Sequence, residues 1–246
     1  MADRGELLRR LVAALARPGV DGVLATADVV EDLLLLGALE GKLAVASMNR
    51  GGIQGAAFEL DDRFTGYDAN GIEAMRLDAG KMLCRVALQD SASVSTLESC
   101  GRAVTALARR GLVAMVEPFF ARWSGTRLET DLSTEAVVRS VAVASGLGAT
   151  SAYTWLKLPV TARMEEVTGA TTLPVLLLGG DPHDRPDEVY GRWEAALGLP
   201  GVRGLVVGRA LLYPPGDDVE AAVDTAAALV RPSVTARLGR TTGPAT

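Results

Sequence analysis

Short, nearly continuous apolar runs alternate with helix-period segments from one end of the chain to the other. The runs stand at 20–26 (VDGVLAT), 42–49 (KLAVASMN), 81–87 (KMLCRVA), 111–120 (GLVAMVEPFF), 150–159 (TSAYTWLKLP), 173–180 (LPVLLLGG) and 202–212 (VRGLVVGRALL). Without strict apolar–polar alternation, they predict strands covered on both faces, as in a parallel sheet. A helix is predicted ahead of the first run, over about 4–17, where Pro18 and Gly19 end it. The gaps hold further helical patterns at 29–41, 68–80, 93–111, 133–148, 162–171, 187–198 and 217–230. The one at 133–148 opens with Ser133 and Glu135 in the manner of a helix cap.

That order is a series of right-handed βα units, so an α/β fold is expected. An open doubly wound sheet and a closed (β/α)8 barrel both satisfy it. No G-x-G-x-x-G follows the first strand, which weighs against a dinucleotide-binding sheet. Polar residues collect instead at strand C-termini: Asn49, Arg50, Arg85, Glu117, Lys157, Asp181 and Arg209. A barrel gathers those ends into one mouth, where its chemistry sits, so a TIM (β/α)8 barrel is the predicted architecture. Seven strands are counted and the chain starts on a helix, so the barrel is predicted to lack its first β-strand. Two edges or a gap would follow, to be filled by another segment or another chain, which makes a homo-oligomer an expectation. One domain is predicted over 1–231, followed by a polar, flexible tail at 232–246.

Composition narrows the chemistry. With 48% hydrophobic and 22% charged residues the chain can bury a large core. A formal net charge of −5 without a basic block argues against nucleic acid as a partner. No apolar run reaches the roughly 18 residues needed to span a membrane, and the charged N-terminal segment does not read as a signal peptide. Cys84 and Cys100 imply no disulfide framework, so reduced thiols and a cytoplasmic location are expected. His183 is the one histidine, too few for a catalytic zinc site of the usual kind and a weak basis for a serine–histidine triad. No metal and no cofactor are predicted.

Lys157 interrupts an apolar strand directly before Leu158 and Pro159. It reads either as a strand-end lysine whose ammonium snorkels to water, or as an amine held in a pocket to attack a carbonyl. The second reading requires desolvation or a neighbouring cation, and Lys81 supplies one candidate, with a solvated residue after a Gly80 helix stop as its plainer reading. Glu117, before Pro118, is either a salt-bridged strand-end glutamate or a proton shuttle. At the last two strands, Gly179, Gly180, Gly208 and Arg209 have the chemistry of a phosphate grip, although paired glycines also serve ordinary turns.

These residues resemble those of the class I (Schiff-base) aldolase superfamily, which holds fructose-bisphosphate, tagatose-bisphosphate and deoxyribose-phosphate aldolases. The stretches GVLAT, SMNRGG, DDRFTGYDA, VEPF, ATSAYTWLKLPV, LLLGGDP and GLVVGRALLYPP carry the resemblance, which is closest to an actinobacterial branch associated with myo-inositol catabolism. It implies Lys157 as the Schiff-base lysine, Glu117 as the acid/base, Lys81 as an auxiliary lysine, and Gly180, Gly208 and Arg209 as phosphate contacts. Asn49 and Arg50 are added as substrate-binding candidates. The strand with an aspartate motif such as AADH that opens those relatives has no counterpart in this sequence. The implied activity is cleavage or formation of a C–C bond in a phosphorylated sugar or keto-acid. A non-catalytic phosphosugar-binding protein with an incomplete barrel is the alternative.

Overall fold

The computed structural model describes residues 3–49, 55–179 and 185–232. Helix α1 (Arg4–Leu15) leads into β1 (Gly22–Ala25), α2 (Ala27–Leu35), β2 (Leu43–Ser47), α3 (Ala69–Ala74) and β3 (Ala79–Val86). Then come α4 (Ala92–Ala108), β4 (Val113–Ser124), β5 (Arg127–Asp131), α5 (Thr134–Ser145) and β6 (Thr154–Leu158). The chain continues through α6 (Met164–Gly169), β7 (Val175–Leu178), α7 (Pro186–Leu197), β8 (Val202–Val206), α8 (Arg209–Leu212) and α9 (Val219–Val230). Seven strands run parallel in the order β1-β2-β3-β4-β6-β7-β8, and β5 pairs antiparallel with β4 alone. With helices alternating between the strands, this is the nearly closed sheet of a TIM-type (β/α)8 barrel, as the apolar runs predict.

Strand positions alternate between two packing environments. On β6, Thr154, Leu156 and Leu158 are buried while Trp155 and Lys157 are partly exposed on the other face. Leu156 and Leu158 join Met82, Val104, Leu107, Val116, Val141 and Val167 in the main apolar cluster, which packs the sheet against α4, α5 and α6. Ser133 accepts from Ala136 N and caps α5 as expected; Asp68 and Asp218 cap α3 and α9 in the same way.

No pairing joins β1 to β8 among the described residues. Helix α1 bridges that side, packing on both α2 and α9. Arg10 pairs with Asp217 at 2.5 Å, Arg17 with Asp224 at 2.5 Å and Glu220 at 2.9 Å, and Arg231 with Asp21 at 2.6 Å. The acidic partners stand largely in solvent, so each pair contributes little to stability.

Several boundaries differ from the sequence reading. The 29–41 pattern is helical only to Leu35, because Gly37 turns the chain at φ 68°, leaving Leu34, Leu35 and Leu36 exposed. Gly80 does not stop a helix: β3 starts at Ala79, and a Cβ on Gly80 would lie 2.6 Å from Met48 Sδ and 2.9 Å from Ile72 and Leu107 side chains. Lys81 is therefore the third residue of its strand rather than its opening residue. The fourth apolar run does not end at Phe120; β4 continues to Ser124 and returns as β5 through a turn at Gly125. Among the described residues, no helix is long and apolar enough to cross a membrane.

The register at the start of the sheet offers a test. Gly22 pairs with Leu43, and a Cβ there would sit 1.9 Å from Leu43 O, a backbone atom that cannot move aside without breaking the ladder. Gly22→Ala is expected to destabilise the fold by about 2–3 kcal/mol, read from urea unfolding. A loss within experimental error would show that β1 is not seated against β2 in this register.

Candidate active site

The parallel register brings three charged side chains from three adjacent strands together. Lys81 pairs with Met115 on β4, and Met115 pairs with Trp155 on β6. Glu117 and Lys157 each lie two residues beyond those partners, so they share one level, with Lys81 one pleat below. The Glu117 carboxylate stands between the two amines. Its Oε1 accepts from Lys157 Nζ at 2.5 Å, and its Oε2 lies 2.5 Å from Lys81 Nζ. Side-chain exposures of 13%, 11% and 10% for Lys157, Lys81 and Glu117 show that all three charges are largely withdrawn from water.

The cluster is badly composed for stability alone. Removing each ion from water costs several kcal/mol, and one carboxylate cannot neutralise two ammoniums. Burial pushes the Glu117 carboxyl up, but the charges and hydrogen bonds of Lys81 and Lys157 outweigh it and hold its pKa below the ordinary range. For Lys157, burial dominates and lowers the amine's pKa; Glu117 opposes this and the Lys81 charge adds to it. Chemically, the arrangement is an amine brought closer to its nucleophilic form, a carboxylate in contact to take its proton, and a second lysine against the same carboxylate.

The other predicted positions divide. Asn49 is 1% exposed, and its amide is spent on the backbone: Nδ2 donates to Leu83 O and Oδ1 accepts from Leu83 N, both at 2.8 Å. It thus extends the β2–β3 ladder past Ser47, a clamp that differs from the substrate contact anticipated for it. Gly179 packs against Val207, whose Cγ1 would lie 3.1 Å from an added Cβ. Gly208 precedes α8, where an added Cβ would meet nothing within 4 Å, and Arg209 opens that helix exposed to solvent. Arg50, Gly180, Asp181 and His183 lie outside the described residues. Among the described residues, no group of three or more His, Cys, Asp or Glu side chains could hold a metal ion.

Two features escape sequence reasoning. Arg85, on the same face of β3 as Lys81, donates from Nη1 to Glu59 Oε1 and from Nη2 to Glu59 O, both at 2.8 Å, in a buried ion pair. This ties the loop after β2 to the C-terminal end of β3. The β4–β5 hairpin rises from the strand that bears Glu117, and Trp123 Nε1 donates to Asp90 Oδ2 at 2.6 Å. The polar segment ARWSGTRLETD carries an S-G turn signal, the one trace of the hairpin in the sequence.

A family model described as Cgl0159-like matches residues 1–227, and the chain belongs to that family. Among solved structures it is similar to Cgl0159 from Corynebacterium glutamicum (Brevibacterium flavum), at 53% identity and a TM-score of 0.91, covering 94% of this chain and 77% of that one. It is also similar to an archaeal fructose 1,6-bisphosphate aldolase, at 17% identity and a TM-score of 0.68, covering 93% of this chain and 84% of the other. A Schiff-base-forming fructose-1,6-bisphosphate aldolase gives 18% identity and a TM-score of 0.67, over 91% and 82% of the two chains. At such identities the likeness to the aldolases is one of fold. Comparison with curated proteins found no match.

The depressed Glu117 pKa has a definite sign for stability. Below the ordinary glutamate value of about 4.3 the unfolded chain takes up the proton first, so stability present at higher pH is lost as pH falls through the lower folded value. Glu117→Gln lacks that titration and leaves two buried ammoniums without a counterion. It is expected to be less stable near neutral pH by about 3–5 kcal/mol, and to lose less further stability than the parent between about pH 5 and 3. Equal acid sensitivity of the two proteins in urea unfolding would contradict the charge arrangement.

Proposed function

We propose that this member of the Cgl0159-like family is a class I aldolase-type lyase, making or breaking a C–C bond through a Schiff base on Lys157. The observation that carries the reading is the single carboxylate on β4 shared by two buried lysines on the flanking strands β3 and β6. The fold shared with Schiff-base fructose-1,6-bisphosphate aldolases supports it.

Glu117 accepts a proton from the Lys157 ammonium, and the freed amine attacks the substrate carbonyl. The same carboxyl returns a proton to the carbinolamine hydroxyl, which leaves as water and gives the iminium. In the cleavage direction the iminium draws in the electron pair of the breaking C–C bond, while the hydroxyl on the departing carbon gives up its proton to Glu117. Lys81, whose Nζ lies 2.5 Å from Oε2, keeps the carboxylate in place beside Lys157.

The proposed substrate is a phosphorylated sugar or keto-acid, with Gly179, Gly208 and Arg209, together with Gly180 and Arg50, holding the phosphate. Resemblance of the stretches ATSAYTWLKLPV and GLVVGRALLYPP to the inositol-catabolism branch favours a deoxy-keto-gluconate phosphate, split to dihydroxyacetone phosphate and a semialdehyde.

Borohydride reduction in the presence of dihydroxyacetone phosphate tests the chemistry. A mass adduct mapped to Lys157, and missing from Lys157→Met, is the expected result. No adduct, or one elsewhere on the chain, overturns the mechanism.

A further inference from the structure

Strand β5 presents an open edge beyond the end of the barrel. Phe120 pairs with Val86 on one side and with Asp131 on the other, so β5 lies on the side of β4 away from β3. Its far edge pairs with no strand among the described residues. The turn fixes which backbone groups line that edge. Gly125, at φ 61°, and Thr126 form a two-residue hairpin loop closed by the Ser124–Arg127 pair. Hydrogen-bonded and open pairs alternate from there, so Arg127, Glu129 and Asp131 bond to β4. The N–H and C=O of Leu128 and Thr130 point outward instead, and they find no partner among the described residues.

The side chains along this edge are also accessible. Arg127, Thr130 and Asp131 are exposed, and Leu128 and Glu129 are half-buried. Arg127 has no ion-pair partner among the described residues. Glu129 lies 3.3 Å from Arg122 across the ladder and keeps 39% of its side chain exposed. On the opposite face Leu128 stands beside Trp123. A strand edge with outward donors and acceptors is a template for a further strand. An antiparallel strand that fits this one needs an acid opposite Arg127, a base opposite Glu129 and an apolar residue between them.

The chain's own β5 meets that requirement. A two-fold axis through Leu128 sets Arg127 of each copy against Glu129 of the other and brings the two Leu128 side chains together. It also makes the two Leu128 residues a hydrogen-bonded pair, as their outward backbone groups require. An axis through Glu129 would oppose two carboxylates, and one through Arg127 two guanidiniums. We propose that two copies of this chain join through β5 in the Leu128-centred register, forming a four-stranded antiparallel sheet. One face of that sheet carries Arg122, Glu129 and the second copy's Arg127 in a row of alternating charge. The other carries an apolar stripe of Trp123 and Leu128 from both copies. A contact confined to one ribbon is small, so the association is reversible.

Sedimentation velocity of the full chain over a range of concentrations tests this. The unaltered protein is expected to pass from monomer to dimer as concentration rises. Arg127→Glu creates two acid–acid pairs in the contact and Glu129→Arg two base–base pairs, so each variant alone is expected to associate at least about tenfold more weakly. Mixed in equal amounts, the two variants are expected to regain the dimer, because the altered positions face each other and opposite charges meet at both pairs. Misfolded variants could not rescue one another, so the mixture also controls for folding. A protein that is monomeric at every concentration, or a dimer equally strong in both single variants, overturns the proposal. Cross-linking with copper phenanthroline reads the register. Leu128→Cys is expected to form a disulfide-linked dimer, since Cα atoms of a facing hydrogen-bonded pair lie about 5.5 Å apart, and Thr130→Cys is not. The reverse pattern, or no cross-link through Leu128→Cys, overturns this register and the proposal with it.

Discussion

One carboxylate answering for two buried ammoniums is the constraint around which this molecule is arranged. Three ions are withdrawn from water and the sum of their charges is not zero, so the cluster persists only because the surrounding fold holds it. Three strands must lie side by side, in a register that puts Glu117 level with Lys157 and within reach of Lys81. A slip of one residue on β4 would turn the carboxylate outward and leave two like charges facing each other. The strength of the apolar packing beneath, with Met82, Val116, Leu156 and Leu158 essentially without exposure, is what such an arrangement demands.

The elements near the mouth serve the same constraint by different means. Asn49 imitates a peptide group and prolongs the β2–β3 ladder where the regular strand has ended. Glu59 binds Arg85 and fastens the following loop to β3, so the half of the strand beyond Lys81 is tied down at both Leu83 and Arg85. Charged contacts around α1 act at lower cost and with less consequence, since most of their partners remain in water.

The alternation of apolar runs and helical periods was enough to anticipate a barrel of parallel strands, because burial on both faces leaves a compositional trace. Lys157 and Glu117 stood out for the same reason: a charge at the end of an apolar strand violates the local pattern. Lys81 was harder, since Gly80 looks like a helix terminator unless one knows that Met48, Ile72 and Leu107 crowd it. Register is a property of neighbouring strands and has no one-dimensional signature, so the shared carboxylate itself was not legible. Nor was the Arg85–Glu59 pair, whose partners are far apart in sequence, or the purpose of Asn49, whose type suits a ligand contact as well as a clamp. The β4–β5 hairpin was missed because its residues are polar and solvent-facing, whereas the apolar criterion finds only buried strands.

That hairpin has a mechanical meaning. Glu117 and the hairpin tip belong to one continuous strand, with β5 laddered along its outer half and Trp123 fastened to Asp90. A paired ribbon is stiff along its length, so it behaves as a lever whose inner end is the Glu117 carboxylate. A molecule that settles against the outer end would reach Glu117 as a small translation of a rod, not as the rearrangement of a loop. The barrel thereby gives its most heavily charged interior position a direct physical line to the solvent.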